Sequence, residues 1–329
     1  MKNWVKHSLV NSGILRLAAR MKDRGVAVLF YHSVMDNPTL YFDLLGDIVH
    51  STQVFRNQIE VLAKEYNPVT LSDVLQFVHD GRQLPPRPVV ITFDDGYTDN
   101  YEIAAPVLQE FGVPGVFYVT VDCIDRQRVP WPARLRYAIF TTKKRSLESD
   151  ASSFALEDAA QRADVFAKLS DVCAKLSGQK QEKYVRWVEL QLEVDASSIS
   201  ERLMMTWDEI RKLASSGHEI GSHTMTHPNI AYVSEPEMRA ELSESKRRLE
   251  EELKSPMIHF AYPGPALRPN WNRQSRDISE QLGYKTATTI EHGPVQRQDD
   301  PLAMKRIGPG QDIHELRWNL ECTFLGRKV

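Results

Sequence analysis

Cysteine is scarce in this sequence. The 329 residues contain three cysteines, Cys123, Cys173 and Cys322, which are far apart and form no CxxC pair. An odd number of isolated cysteines does not fit the disulfide framework of a small secreted protein. We therefore expect reduced thiols that pack in the interior rather than react.

Long apolar runs and an excess of basic residues are also missing. No stretch of about 18 apolar residues occurs, so the sequence predicts no transmembrane helix. A net charge of −3 and a pI near 6.4 argue against a nucleic-acid partner, because nucleic-acid-binding proteins usually carry a basic surface. With 42% hydrophobic and 26% charged residues, the composition is that of a globular protein with an ample core.

The N-terminus has a distinct pattern. Residues 1–24 contain six basic residues and one acidic residue, with apolar residues interleaved at helical spacing. We predict an amphipathic helix over residues 1–25, which either contacts an anionic membrane surface or, more commonly for such helices, packs on its own domain. The segment lacks the continuous apolar core and the cleavage site of a signal peptide. The predicted location is the cytoplasm or the inner face of the membrane.

One apolar run ends in two carboxylates. Residues 89–93 are mostly β-branched or aromatic and predict a buried strand, which Asp94, Asp95 and Gly96 follow. Successive strand residues point to opposite faces, so both carboxylates can serve one site only if the backbone turns there, which glycine permits. Two carboxylates this close repel, and one pKa rises unless a cation lies between them. The simpler alternative is a strand followed by an ordinary Asp-Gly turn.

Strand and helix signals alternate along most of the chain. Short apolar runs predict seven strands, at residues 27–31, 89–93, 113–119, 217–223, 258–262, 286–289 and 304–307. Such alternation is typical of a parallel sheet, and polar residues directly after several strands favour closure into a barrel with its site at the strand ends. Residues 124–201 show almost only helical signals. We predict an α/β barrel over residues 26–329 with a helical insertion at about 124–201.

Two histidines are candidate metal ligands. His223 and His227 lie four residues apart after a predicted strand, so both imidazoles can share one side of a helical turn. With one carboxylate of the Asp pair they would give three ligands and open positions, as in catalytic zinc sites. The same ligand types also occur in non-haem iron oxygenases. The second carboxylate favours hydrolysis, because it can accept a proton from water.

These residues carry a family resemblance. Two segments resemble the first two motifs of the NodB-homology polysaccharide deacetylases, carbohydrate esterase family four: Thr92-Phe93-Asp94-Asp95-Gly96 and the later His223-Thr-Met-Thr-His227. A third segment is similar to a short form of their third motif: Phe260-Ala261-Tyr262-Pro263-Gly264. The resemblance runs from about residue 26 to residue 307, without most of the insertion.

The resemblance implies a fold, a reaction and a set of roles. The fold would be a distorted (β/α)7 barrel. The reaction would be the metal-dependent removal of N-acetyl, or occasionally O-acetyl, groups from a sugar polymer or its precursor, in bacterial exopolysaccharide or capsule synthesis. One divalent metal is implied, Zn2+ first, with Co2+ or Ni2+ as alternatives. Asp94 would be the general base, and Asp95, His223 and His227 would hold the metal.

Three residues are candidates for contact with the N-acetylated carbohydrate. Tyr262 and Pro263, in the third motif, are expected to line the pocket wall. Trp131, at the mouth of the insertion, is a candidate for stacking on a sugar ring. The alternative for Trp131 is a position in the core.

Two departures from the family pattern concern the base and the acid. Many members have an Arg in the third motif that orients the base; the matching position here is Ala261, and Arg268 or Arg306 could replace it. The C-terminal Leu-x-His that supplies the acid is missing. However, residues 30–33 resemble the Tyr-His motif of the biofilm poly-N-acetylglucosamine deacetylases, which implies His32 as the acid. The alternatives are a packed, hydrogen-bonded His32 and, for the whole protein, a barrel that binds metal and carbohydrate without turnover.

Overall fold

The computed structural model describes Leu15 and residues 25–37, 42–149, 152–194 and 202–327. The amphipathic helix predicted for residues 1–25 falls outside these ranges, apart from Leu15 and Gly25, and stays a prediction. Within these ranges, no helix combines the length and the apolar character that crossing a bilayer requires.

Strands β1 to β11 are numbered along the chain. Seven of them form one parallel sheet: β1 (Ala27–Tyr31), β4 (Asn67–Pro68), β5 (Pro88–Phe93), β6 (Val116–Val119), β9 (Glu219–Ser222), β10 (His259–Ala261) and β11 (Thr286–Thr288). The others form two separate pairs: β2 (Ser33–Met35) with β3 (Val49–Ser51), and β7 (Ser146–Ser149) with β8 (Ser152–Ala155).

Helices connect most of the strands. In the described ranges the α-helices are α1 (Phe42–Leu45), α2 (Thr52–Glu65), α3 (Leu71–His79), α4 (Ala105–Glu110), α5 (Val121–Arg126), α6 (Trp131–Thr141), α7 (Ala159–Cys173), α8 (Gly178–Gln191), α9 (Trp207–Ser215), α10 (Glu235–Leu253), α11 (Arg273–Gln281) and α12 (Ile313–Phe324). Several begin at a capping box: Thr206, for example, accepts from the N–H of Glu209, whose carboxylate accepts from Thr206 in return.

The sheet curls into a barrel. Its strand order is β1-β5-β6-β9-β10-β11, with β4 paired to the beginning of β5. Segment 304–307 joins the two ends of the sheet through parallel bridges from Met304 to Thr288 and from Ile307 to Leu29. The predicted distorted (β/α) barrel is therefore confirmed. The prediction of a full strand at 304–307 was wrong, because this segment crosses from β11 to β1 and bridges each at one residue; the seventh strand is β4.

Side-chain alternation along β5 sets the direction of the first aspartate. Val90 belongs to a buried cluster formed with residues of β1, β6, β10 and helix α3, whereas Ile91 belongs to a separate, larger cluster with residues of helices such as α2 and α10. Because every second side chain of a strand points to the same face, Asp94 points to the same side as Val90, which is the inside of the barrel. The interior is tightly filled: a Cβ at Gly221 would lie 2.3 Å from Cδ1 of Tyr118.

The insertion has a small core of its own. Helices α6, α7 and α8 share a buried cluster that includes Leu135, Leu169 and Val185. These helices were predicted, but the antiparallel hairpin β7–β8 was not. Its strands are rich in serine, and among their described side chains only Leu147, which is 1% exposed, is buried. The apolar alternation that signals a strand is therefore weak there.

Candidate active site

The carboxyl ends of the parallel strands meet in one pocket. Its volume is about 360 Å³, and its lining includes every residue predicted for catalysis or metal binding: His32, Asp94, Asp95, His223 and His227. His32 follows β1, the Asp pair follows β5 and the two histidines follow β9. Three distant parts of the chain therefore converge, as the strand-end pattern predicts.

Asp95, His223 and His227 form a compact cluster of potential metal ligands. All three side chains are buried, and their ligand atoms lie within 4.8 Å of one another. Asp95 Oδ1 lies 3.2 Å from His227 Nε2 and 3.7 Å from His223 Nε2. Two ligands about 2.0–2.1 Å from a tetrahedral ion are roughly 3.3 Å apart, so these separations suit an ion of the size of Zn2+.

The hydrogen-bonding state of the cluster also fits a cation. Asp95 Oδ1 is buried and has no hydrogen-bond partner. His223 Nδ1 lies 2.9 Å from the carbonyl oxygen of Ala261; because a carbonyl only accepts, Nδ1 carries the proton and Nε2 keeps a lone pair. Burial lowers the pKa of His223 to about 4, so the ring is neutral at pH 7. The lone pair of His223 Nε2 and the unpartnered Oδ1 of Asp95 lie close together, and a divalent ion could accept electron pairs from both.

The backbone turn after β5 separates the two carboxylates. Asp94 continues the strand, since its N–H donates to the carbonyl of Tyr31 at 3.0 Å. Asp95 then takes a left-handed conformation with φ of 77°, and Gly96 follows with φ of 91°. A left-handed non-glycine residue costs free energy and is often found at functional sites. Here it turns Asp95 toward the histidines while Asp94 stays inside the barrel.

Arg306 is the partner of Asp94. Its Nη1 and Nη2 lie 2.7 and 2.8 Å from the two carboxylate oxygens, a bidentate pair in which Arg306 is 0% exposed. Nε donates to the carbonyl of Thr289 at 2.9 Å, and Nη1 also donates to Thr92 Oγ1 at 3.3 Å. Burial alone would raise the pKa of Asp94, but Arg306, together with His223, outweighs it, so the pKa lies below the ordinary carboxyl value.

The Arg missing from the third motif is thus supplied from elsewhere in the chain. Of the two candidates from the sequence, Arg306 pairs with Asp94, whereas Arg268 is exposed and donates to the carbonyl of Leu267. Ala261 contributes its backbone carbonyl to His223 instead of a side chain to Asp94. Arg306 lies between the two bridges of segment 304–307, so closure of the barrel brings its guanidinium to the centre.

His32 is held by two residues that the sequence reasoning did not single out. Asn100 Nδ2 donates to the carbonyl of His32 at 2.6 Å and to Asp99 Oδ1 at 2.8 Å. Ser33 Oγ donates to Asp99 Oδ2. The loop after β1 is therefore fastened to the loop that follows the Asp pair. The available signal was that Asp99 and Asn100 lie three and four residues after Gly96 of the Asp-Asp-Gly motif.

The three predicted carbohydrate contacts are not supported by the geometry. Trp131 is 4% exposed, belongs to the buried cluster of the insertion, and donates from Nε1 to the carbonyl of His227 at 2.8 Å. Tyr262 is 0% exposed and donates to the carbonyl of Leu302 at 3.0 Å. Pro263 is also buried. All three side chains are packed behind the pocket, so the core position weighed for Trp131 is the observed one.

Other residues form the pocket wall. Residues 44–48, at the end of α1 and just after it, form one side of the pocket. The insertion forms a second side, through Arg136 of α6 and Phe166 of α7. The loop after β10 forms a third, through Pro265 and Arg268. None of these residues stands in a recognisable motif. Only their place in the folded chain identifies them.

Comparisons with known proteins agree with this geometry. The sequence matches the profile of the polysaccharide deacetylase family over residues 81–287. The protein YxkH of Bacillus subtilis (strain 168) is 18% identical over 286 residues, which cover 87% of this chain and 72% of that protein. The poly-β-1,6-N-acetyl-D-glucosamine N-deacetylase of Escherichia coli (strain K12) is 37% identical over 75 residues, which cover 22% of this chain and 11% of that protein.

Solved structures share the fold. The Streptococcus pyogenes deacetylase PplD in complex with acetate aligns with a TM-score of 0.60 at 16% identity, covering 91% of this chain and 98% of that one. IcaB from Ammonifex degensii aligns with a TM-score of 0.59 at 17% identity, covering 91% and 97%. At these identities the comparison establishes the architecture, and the chemistry has to be argued from the residues in the pocket.

We expect Arg306→Gln to impair activity most strongly at low pH. Without the guanidinium, burial raises the pKa of Asp94, so this carboxylate, the predicted general base, becomes protonated over a wider pH range. Acetate release from N-acetylglucosamine oligomers, measured between about pH 5 and about pH 9, should show an acid limb of kcat/KM displaced to higher pH. At about pH 6 the rate should fall by about 10-fold or more.

Arg268→Gln is the matched control. It removes an exposed guanidinium from the same pocket without touching Asp94, so the acid limb should stay in place. An acid limb that is equally unmoved in Arg306→Gln would contradict the role assigned to the ion pair.

Proposed function

Because the chain belongs to the polysaccharide deacetylase family, we propose that it is a metal-dependent hydrolase that removes N-acetyl groups from a carbohydrate. The proposed ion is Zn2+, with Co2+ or Ni2+ as alternatives. The proposed substrate is an N-acetylated sugar polymer or its precursor, in exopolysaccharide or capsule synthesis. The partial similarity to a poly-β-1,6-N-acetyl-D-glucosamine N-deacetylase supports this substrate class.

The observation that carries the proposal is the different surroundings of two adjacent carboxylates. Asp95 faces two imidazoles and has a buried oxygen without a hydrogen-bond partner. Asp94 is kept ionised by Arg306 and faces the same pocket. A binding site for a cation needs only the first carboxylate. The second, held as a carboxylate at the edge of the ligand cluster, is what a hydrolase needs to accept a proton from water.

The residues divide the reaction between them. Asp95, His223 and His227 would hold the divalent ion, which supplies a Lewis acid that polarises the acetyl carbonyl and acidifies water. Asp94 takes the proton of the attacking water. Arg306 keeps Asp94 ionised and fixes its two oxygens, so that the base does not rotate away from the pocket.

His32 is the proposed acid. Expulsion of an amine from a tetrahedral intermediate needs a proton on the leaving nitrogen, and a histidine can supply one near neutral pH. His32 lines the pocket that contains Asp94 and the ligand cluster. Its main-chain carbonyl accepts a hydrogen bond from Asn100.

The location of the protein, in the cytoplasm or at the inner face of the membrane, stays a prediction from the sequence, which cell fractionation tests.

Acetate release from N-acetylglucosamine oligomers tests the function directly. Wild-type protein loaded with Zn2+ should release acetate, the chelated protein should not, and Asp94→Asn, which keeps the shape of the side chain but cannot accept the proton, should lose about 10²-fold or more of the rate. Equal release by wild type and Asp94→Asn would show that Asp94 is not the base. Release by neither, with metal bound, would contradict deacetylation of this substrate class.

The role of His32 is tested by changing the leaving group. His32→Ala should slow hydrolysis of the N-acetyl amide by about 10²-fold. It should have little effect on p-nitrophenyl acetate, whose phenolate leaves without a proton. His292→Ala removes another histidine from the pocket lining and should not separate the two substrates in this way. An equal loss on both substrates in His32→Ala would show that His32 is not the general acid.

A further inference from the structure

The loop that carries both histidine ligands has an unfavourable backbone. Thr224 and His227 are non-glycine residues with φ of 67° and 64°. A non-glycine residue in this conformation costs free energy and persists only where the surroundings impose it. Residues 223–229, the ligand loop, must therefore be held by contacts from outside.

Helix α10 holds the loop from one side. Glu241 is 5% exposed, and its Oε2 accepts hydrogen bonds from the N–H groups of Met225 at 2.9 Å and Thr226 at 2.8 Å. The hydroxyl of Thr226 donates to the other carboxylate oxygen. One buried carboxylate thus binds the backbone midway between the two ligands. Charge-assisted hydrogen bonds of this kind are about twice as strong as neutral ones.

The insertion holds the loop from the other side. Trp131 Nε1 donates to the carbonyl of His227 at 2.8 Å. The N–H of Gly178 donates to Thr226 Oγ1 at 3.0 Å, and the N–H of Asn229 donates to the carbonyl of Ala174 at 3.0 Å. The insertion therefore contacts the ligand loop at three residues, Thr226, His227 and Asn229, although its helices contribute no metal ligand.

The two histidines differ in how their rings are oriented. His223 is fixed in the usual way, by a hydrogen bond from its other ring nitrogen to the carbonyl of Ala261. His227 Nδ1 is buried and has no hydrogen-bond partner. The direction of the His227 ring therefore depends on its backbone. Two side chains bind that backbone: Thr224 Oγ1, within the loop, accepts from the N–H of His227 at 3.0 Å, and Trp131, from outside the loop, donates to its carbonyl.

We propose that Trp131 and Glu241 are positioning residues of the metal centre. They hold the ligand loop in the conformation in which Thr224 and His227 are left-handed, and thereby direct His227 Nε2 toward the ion. This inference rests on the proposed metal-dependent function. The proposal gives the insertion a role, because Trp131 of helix α6 would set the position of the metal ligand His227. Neither residue touches the reacting atoms, so both should act through metal affinity and coordination geometry.

Metal binding, measured without turnover, tests the inference. Trp131→Phe removes the N–H donor and keeps an aromatic ring; Glu241→Gln removes the charge and keeps the shape. The controls are Trp187→Phe, at a partly buried tryptophan of the same insertion cluster, and Glu244→Gln, at an exposed, ion-paired residue of the same helix. Circular dichroism at the assay temperature confirms that each variant is folded. Co2+ affinity is then measured by competition with a chelator, and the visible Co2+ spectrum reports the ligand geometry.

We expect Trp131→Phe and Glu241→Gln to bind Co2+ about 10-fold more weakly than wild type with an altered spectrum, as is typical for the loss of groups that orient ligands. The two controls should match wild type. A purely structural role would lower thermal stability without changing the affinity or the spectrum of the folded protein. Wild-type affinity and spectrum in both variants would overturn this inference alone. A wild-type chain that binds no Co2+ would overturn the proposed function, and the inference with it.

Discussion

The buried ion pair between Arg306 and Asp94 is the interaction on which the site depends. Two adjacent carboxylates in a barrel interior would repel, and burial alone would protonate one of them. Arg306 prevents this for Asp94 through two charge-assisted hydrogen bonds, and Arg306 also donates from Nε to Thr289 and from Nη1 to Thr92. The pair also joins segment 304–307, which closes the barrel, to the end of β5, so the fold and the ionisation state of Asp94 are linked.

The centre of the site could be predicted from the sequence because it depends on local features. The strand at residues 89–93 is continuous and apolar, the Asp pair follows it directly, and the two histidines are four residues apart. In a parallel sheet, residues that follow strands converge at one edge whatever their separation along the chain. These rules were sufficient to predict the fold class. They also predict that the residues after the strands share one pocket, which in the structure contains His32, Asp94, Asp95, His223 and His227.

The surroundings of the site could not be predicted, because they depend on how the barrel closes. Arg306 reaches Asp94 only because segment 304–307 crosses from β11 to β1, and no local pattern shows this. Tryptophan is a residue type that often stacks on sugar rings, but the ring of Trp131 is buried and its N–H donates to the backbone carbonyl of His227. The wall residues Arg136 and Phe166 come from an insertion whose packing on the barrel has no sequence signal.

The central proposal is that Asp95, His223 and His227 bind one catalytic ion beside Asp94, the proposed base, which Arg306 holds. Anomalous diffraction on both sides of the zinc edge, from crystals grown with Zn2+, tests it most directly. The account predicts one strong peak within about 2.3 Å of an Asp95 oxygen and of Nε2 of both histidines, with the Arg306–Asp94 pair intact. The absence of a peak at these three residues, or a peak coordinated by Asp94 in place of Asp95, would contradict it.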